Sequence, residues 1–303
     1  MTFIQNPPLW IEAISKYQGT HLQAPNFAFL LTARKFNSTN YRTIHEKNDS
    51  RNAIDLSSVR HIINAAEPVT ETSINTFIDK FGKYGMREEV MFPTYGLAEH
   101  TVFVCSGGKQ RLSISKHALE TYGIVKEIDD TVDSKKNDLT RLVGCGFPSK
   151  QNVDVQIVNT DSFEALGENE VGEIWIHSPS KALGYFQKEK ESRESFYSIL
   201  PVAGAEDIGY LRTGDLGFLH NQELFICGRM KDLIIVGGRN YYPQDIEATA
   251  ESTSNLIRPG CSAAFTVDPI SGNDEEVALI LELREVPKNK VSKKQIKSNQ
   301  MNI

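Results

Sequence analysis

The stretch 59–95, "VRHIINAAEPVTETSINTFIDKFGKYGMREEVMFPTY", constrains the fold more than any other part of the chain. Thr70 is a natural N-cap, and Ile74, Phe77, Ile78 and Phe81 recur at helical spacing. Gly82 and Gly85 stop the helix. An apolar run at 59–64 precedes it, followed by a turn at 65–68, and a second run at 89–96 follows it. Two strands joined through a helix lie parallel in one sheet, so the class is α/β with a mostly parallel sheet and covering helices.

Elsewhere the pattern predicts a helix over 6–18, with Asn6 as cap, Pro7 and Pro8 in its first turn, and Trp10, Ile11, Ile14 and Tyr17 on one face. Residues 34–55 are polar and broken, which predicts loop with a short helix. Residues 106–142 are charged and carry no strong period. Then come "VDVQIV", "EVGEIWIH" and, after a turn at 220–222, "ELFIC", which predict a small antiparallel unit. "DLIIVGG" reads as a strand whose Gly237–Gly238 can be a hairpin turn. "YPQDIEATAES" reads as a helix with Pro243 in its first turn, and "EVALILEL" as a last strand. The tail from Pro287 holds five lysines and almost nothing apolar, so it is expected to fray.

Composition narrows the function classes. A net charge of -6 argues against nucleic acid as the main partner, because phosphate binding needs clustered Lys and Arg. No apolar run approaches the roughly 20 residues of a membrane span, and the N-terminus lacks the order of a signal peptide, so a cytoplasmic chain is expected. Cys105, Cys145, Cys227 and Cys261 are too dispersed for a zinc site and read as small buried hydrophobes.

Three short segments could carry chemistry. In "FPTYGLAEHT", Glu99 follows a strand-to-turn transition, at the sheet edge where ligands of parallel sheets bind. A carboxylate there can help hold Mg²⁺ on substrate phosphates. Tyr95 offers a ring to a flat base, and Gly96 and Ala98 leave space for a ligand near the backbone. In "YLRTGDLG", Asp215 sits between glycines at a tight turn, where its two oxygens could accept from a vicinal diol. In "GRMKDLIIVGG", Arg229 supplies a planar fork of donors and Lys231 a mobile charge. Taken singly, each segment also reads as a solvated turn.

Their order is more informative. N-A-A-E-P, Y-G-L-A-E, G-E-I-W-I with G-Y-F, R-T-G-D-L-G, then G-R-M-K-D-L-I-I-x-x-G-R-N-x-x-P-x-D-I-E resembles the adenylate-forming (AMP-binding, acyl-CoA synthetase-like) superfamily. "FIQNPPLWIEAISKYQGTHLQAPNFAF" makes the resemblance closest to its fatty-acyl-AMP ligase branch, and the match runs over roughly residues 1–285. That resemblance implies ATP-dependent activation of a fatty acid to acyl-AMP, passed to an acyl carrier protein or a polyketide synthase carrier domain. It implies Tyr95 against adenine with Ala66, Glu67 and Pro68 on the other side, Gly96 beside the nucleotide, and Glu99 on Mg²⁺. It places Asp215 on the ribose hydroxyls, Arg229 behind it, and Lys231 at the hinge of a swinging C-terminal domain.

The implied organisation is a partial large domain over 1–228, with a branch-specific insertion at 106–142 and a β-barrel subdomain at 143–228. A partial, smaller α+β domain follows over 229–303, with a hinge near 229–232. The family's Ser/Thr/Gly-rich phosphate loop ending in Lys has no counterpart in these 303 residues, nor has its late catalytic Lys in a G-K loop. The chain therefore reads as a truncated member, impaired or inactive alone. The other readings are a non-catalytic nucleotide- or carrier-binding remnant, half of a split enzyme completed by a separate N-terminal chain, and an acyl-CoA ligase.

Overall fold

Three strands, His21–Pro25, His61–Ala65 and Met91–Tyr95, lie parallel and in register, with Leu22 opposite Ile62 and Ile62 opposite Met91. A two-residue strand, Cys105–Ser106, adds antiparallel to the last of them. The computed structural model describes residues 2–46, 52–131, 138–201, 209–267 and 276–284, so the tail from Pro287 lies outside the described residues. The chain divides into two compact units, Met1–Lys231 and Asp232–Ile303.

Each parallel crossover carries a helix, Asn26–Lys35 and Glu71–Phe81, and the two pack together through Phe29 and Phe77, whose ring centroids are 5.2 Å apart. The second helix follows the sequence pattern. Thr70 Oγ1 accepts from the Ser73 N–H at 3.3 Å, Ile74, Phe77 and Phe81 are buried, and Gly85 closes the following turn at φ +94°. The core joins these side chains to Ile11, Ile14 and Ile62.

The helix expected over 6–18 differs at both ends. It spans Leu9–Tyr17 with Pro8 as cap and no side-chain cap bond, so Asn6 contributes only its carbonyl, which accepts from Leu9 N–H at 3.1 Å. Tyr17 is 73% exposed, because the packed face ends at Ile14 and the chain turns left-handed at Gln18. Among the described residues between 34 and 55 the expected short helix is a 3₁₀ turn, Ser38–Asn40, beside two short parallel strands, Tyr41–Thr43 and Asn52–Ile54.

The 106–142 stretch, which showed no period, is folded. Strand Arg111–Ser115 pairs antiparallel with Leu139–Val143, and helix Lys116–Tyr122 lies between them, capped by Ser115. Leu112, Ile114, Leu119 and Val125 are buried, and a polar anchor adds to them, which a hydrophobic pattern cannot register. Glu223, fully buried, accepts from the Lys109 N–H at 2.8 Å and the Gln110 N–H at 3.2 Å. Residues 132–137 of the stretch lie outside the described residues.

The antiparallel part is a four-stranded sheet in the order Glu223–Arg229, Leu211–His220, Gly172–His177, Asp154–Val158. Asn221 and Gln222, both at positive φ, make its tight hairpin turn. Segment 211–220 is thus a strand, and Asp215 lies inside it rather than at a hairpin tip.

In the second unit, Ile234–Val236 and Arg239–Tyr241 form a hairpin around Gly237 and Gly238, at φ +59° and +75°. This is the two-residue turn in which both positions need positive φ. Helix Pro243–Ser252 packs on the long strand Ile257–Val267, which pairs with Glu276–Leu283. Cys105, Cys145 and Cys227 are buried and Cys261 is half-buried, all as free thiols. Among the described residues no helix is long and apolar enough to cross a membrane.

Candidate functional site

The three parallel strands end side by side at Pro25, Ala65 and Tyr95. Open α/β sheets bind ligands at this carboxyl edge. Asn26 organises it. Its Oδ1 accepts from Asn64 Nδ2 and from the Thr70 N–H, each at 3.2 Å, and from the Ser73 hydroxyl, tying the starts of both crossovers together. Ala66, Glu67 and Pro68 follow at the surface, with Ala66 held at φ +73°, a strained conformation for a residue with a side chain. Glu67 Oε1 accepts from the Phe27 N–H at the start of helix Asn26–Lys35, satisfying one of the donors a helix N-terminus leaves open.

Tyr95, Asp215 and Arg229 form one bonded group. The Tyr95 hydroxyl donates to Asp215 Oδ2 at 2.7 Å, and Arg229 Nε donates to Oδ1 at 3.3 Å from the adjacent strand, where Arg229 is the register partner of Asp215. Asp215 is 8% exposed and Tyr95 7%. Burial pushes the Asp215 carboxyl above its ordinary value, against the lowering effects of Tyr95 and Arg229, and the charge of Glu99 adds to the rise. Burial and the charge of Asp215 push the Tyr95 phenol up in turn.

Glu99 sits in a short 3₁₀ turn, Ala98–His100, tied to the 178–185 segment at several points. Its carbonyl accepts from the Ala182 N–H at 2.9 Å, and Oε1 accepts from the Tyr185 hydroxyl at 3.0 Å. His100 Nδ1 lies 2.7 Å from the Phe103 carbonyl, which can only accept, so in the neutral ring Nδ1 donates and Nε2 accepts from the Ser178 hydroxyl at 2.5 Å. Burial lowers the pKa of His100, consistent with this neutral ring.

The Cβ side of Gly96 is taken up by the chain itself, because a Cβ there would lie 1.5 Å from the Val102 carbonyl oxygen. Gly96→Ala should force the Glu99 turn out of place. The expected cost is about 3 kcal/mol or more, read as a fall in denaturation midpoint against wild type. An unchanged midpoint would show that the turn can relax at no cost.

Lys231 is exposed in the 3₁₀ turn Met230–Asp232 and makes no hydrogen bond or ion pair among the described residues. The structure therefore joins Tyr95, Asp215 and Arg229, sets Glu99 on Tyr185, and leaves Lys231 apart from them. Sequence reasoning missed Tyr185 and Glu173. The signals were there: an aromatic in G-Y-F, and one acid inside the apolar run G-E-I-W-I, which demands a buried partner.

No group of three or more His, Cys, Asp or Glu that could hold a metal occurs among the described residues. Glu99 alone, with Oε2 making no hydrogen bond among them, fits Mg²⁺ only as a ligand shared with substrate phosphates.

The class is an α/β protein with a buried, Arg-backed carboxylate bonded to the last residue of a parallel strand, and open α/β sheets take ligands at that edge. The chain belongs to the AMP-binding enzyme family, whose model matches residues 2–186. It is 38% identical over 284 residues to the medium-chain-fatty-acid–[acyl-carrier-protein] ligase JamA of Moorena producens (strain JHB), covering 92% of this chain and 45% of the relative. It is 34% identical over 285 residues to the putative fatty-acid–CoA ligase fadD21 of Mycobacterium leprae (strain TN), covering 92% and 45%. The crystal structure of a fatty acyl-adenylate ligase from L. pneumophila in complex with acyl adenylate and pyrophosphate aligns at TM-score 0.66 and 33% identity, covering 98% of this chain and 49% of that one. The chain spans less than half the length of the curated relatives it matches.

Proposed function

We propose that the protein serves the ATP-dependent activation of a fatty acid to acyl-AMP, with release of pyrophosphate, for transfer to an acyl carrier protein. The observation that carries this reading is the bonded group of Tyr95, Asp215 and Arg229 at the carboxyl edge of the parallel sheet. An ionised carboxylate has about four acceptor positions, so Asp215 can keep Tyr95 and Arg229 and still accept from both ribose hydroxyls. Tyr95 and the 66–68 turn, at the ends of neighbouring strands, would take the adenine between them. Gly96 would sit beside the nucleotide through the face its backbone leaves free. Glu99 would hold Mg²⁺ together with the phosphates, and the ion would neutralise charge on them during attack by the fatty-acid carboxylate. Arg229 would fix the Asp215 geometry, and Lys231, beside the boundary between the two units, would lie at a hinge near 229–232.

The proposed organisation keeps the large domain at 1–228, with 106–142 as the branch-specific insertion and 143–228 as the barrel subdomain, and the smaller domain at 229–303. The residues described hold the nucleoside half of such a site. We therefore expect this chain alone to bind ATP or AMP but to form acyl-AMP weakly. Calorimetric titration with ATP, and hydroxamate trapping after incubation with a fatty acid, ATP and Mg²⁺, test the two statements separately. Absence of nucleotide binding overturns the site. Rapid hydroxamate formation overturns the expected weakness, and acyl-CoA formed on adding coenzyme A overturns the carrier as acceptor.

A further inference from the structure

Strands Gly172–His177 and Leu211–His220 are out of step by a local insertion. Glu173 lies opposite Leu216 and Trp175 opposite Arg212, so Thr213, Gly214 and Asp215 together face the single residue Ile174. Asp215 is the last residue of this bulge and stays paired with Arg229 on its other side, and bulges beside functional sites commonly re-aim a side chain. Such a bulge leaves backbone groups without ladder partners. The side chains around it supply them.

Glu173 is 2% exposed, and its carboxylate lies beneath the bulge. Oε1 accepts from the Gly214 N–H at 3.1 Å. Oε2 accepts from Arg212 Nε at 3.0 Å, from Arg212 Nη2 at 2.9 Å and from Trp175 Nε1 at 2.9 Å. Thr213 completes the clamp. Its hydroxyl donates to the Ile174 carbonyl at 2.7 Å and accepts from the Asp215 N–H at 3.0 Å. Gly214 itself is at φ +69°, a conformation a side chain would resist.

We propose that Glu173, with Thr213, is a positioning residue for ribose recognition: it holds the three-residue bulge that presents Asp215. This assignment rests on Asp215 as the ribose acceptor. A buried carboxylate is costly unless fully paired, and here four donors pair it. A glutamine in its place keeps the shape but has one oxygen. Its amide hydrogens would then oppose either Gly214 N–H or the Arg212 fork, releasing one side of the bulge. The consequence is specific, because Asp215 stays in the chain but loses its aim, so discrimination for a vicinal diol falls before stacking of the base is affected.

Binding of ATP and of 2′,3′-dideoxy-ATP to the full chain, without metal, reads this directly. Wild type should favour ATP by at least about tenfold, since hydrogen bonds to a charged acceptor are each worth that much or more. Glu173→Gln should bring the preference to within about threefold while dideoxy-ATP affinity stays near wild type. Thr213→Val, at a half-exposed position and nearly isosteric, should reduce the preference in the same direction and covers the case in which Glu173→Gln does not fold. Wild-type preference retained in folded Glu173→Gln, or in Thr213→Val where Glu173→Gln does not fold, overturns the proposal. So does a fall in dideoxy-ATP affinity equal to the fall for ATP, which marks a merely structural effect. A wild type that binds both nucleotides equally, or neither, overturns the Asp215 reading itself.

Discussion

Replacing Asp215 by alanine is expected to weaken ATP and AMP binding by about 10²–10⁴-fold, because two hydrogen bonds to a charged acceptor, each worth about 1.5–3 kcal/mol, are lost together. The loss should be far smaller for a nucleotide without ribose hydroxyls. Calorimetric titration of the variant with AMP checks the figure, and a change below threefold would remove Asp215 from the site. The same residue should leave a pH signature in stability. Its folded-state pKa is raised, chiefly by burial, so the native protein holds the Asp215 proton more tightly than the unfolded chain does. Its contribution to stability is then fully present below the ordinary carboxylate value and is lost as pH rises through the raised one. Asp215→Asn keeps an acceptor for the Tyr95 hydroxyl but does not titrate. Relative to this variant, wild type should lose stability across that interval, and its melting temperature followed from about pH 3 to 7 reads the difference. The opposite slope would mean that Arg229 and Tyr95 outweigh burial.

Phe77→Ala is expected to destabilise the Met1–Lys231 unit by about 3–5 kcal/mol, a fall of roughly 6–20 °C in melting temperature. Phe77 is fully buried, with ring centroids 5.8 Å from Trp10, 5.2 Å from Phe29 and 4.7 Å from Phe81. Those partners come from three helices, Leu9–Tyr17, Asn26–Lys35 and Glu71–Phe81, so no single element can move in to fill the space. The same packing fixes where both crossovers begin, through Asn26, Thr70 and Ser73. Nucleotide affinity measured well below the melting point should therefore fall with stability. A variant that melts within 2–3 °C of wild type would show that the core repacks around the gap.

The elements that were legible are those whose apolar residues recur at a clean period around a good cap. Helix Glu71–Phe81 was readable from Thr70 to Gly85, and the strands on either side of it from their apolar runs. Helix Asn26–Lys35 was not, because its buried face mixes Asn26, Ala28 and Thr32 with a single large side chain, Phe29. The 106–142 stretch was not, because its buried Leu112, Ile114, Leu119 and Val125 are spread over a strand, a helix and a loop without a common period, and the buried carboxylate on its backbone amides has none either. Strand Leu211–His220 was hidden, because "TGD" has the residues of a tight turn, and only pairing with two neighbours makes it a bulge. Long strand Ile257–Val267 carries Pro259 and Gly260 near its start, which hide it from a pattern that expects neither inside a strand.

By itself the sequence determined the α/β class, the family resemblance and the identities of Tyr95, Glu99, Asp215 and Arg229. Those follow from local periodicity and from the order of short motifs along one chain. Only the tertiary structure decided that the Tyr95 hydroxyl donates to Asp215, that a Cβ at Gly96 would meet Val102, that Tyr185 donates to Glu99 and that Glu173 accepts from Gly214. Each of those contacts joins residues on different elements or across a turn. Their pairing depends on strand register and on backbone close approach, which no one-dimensional pattern encodes.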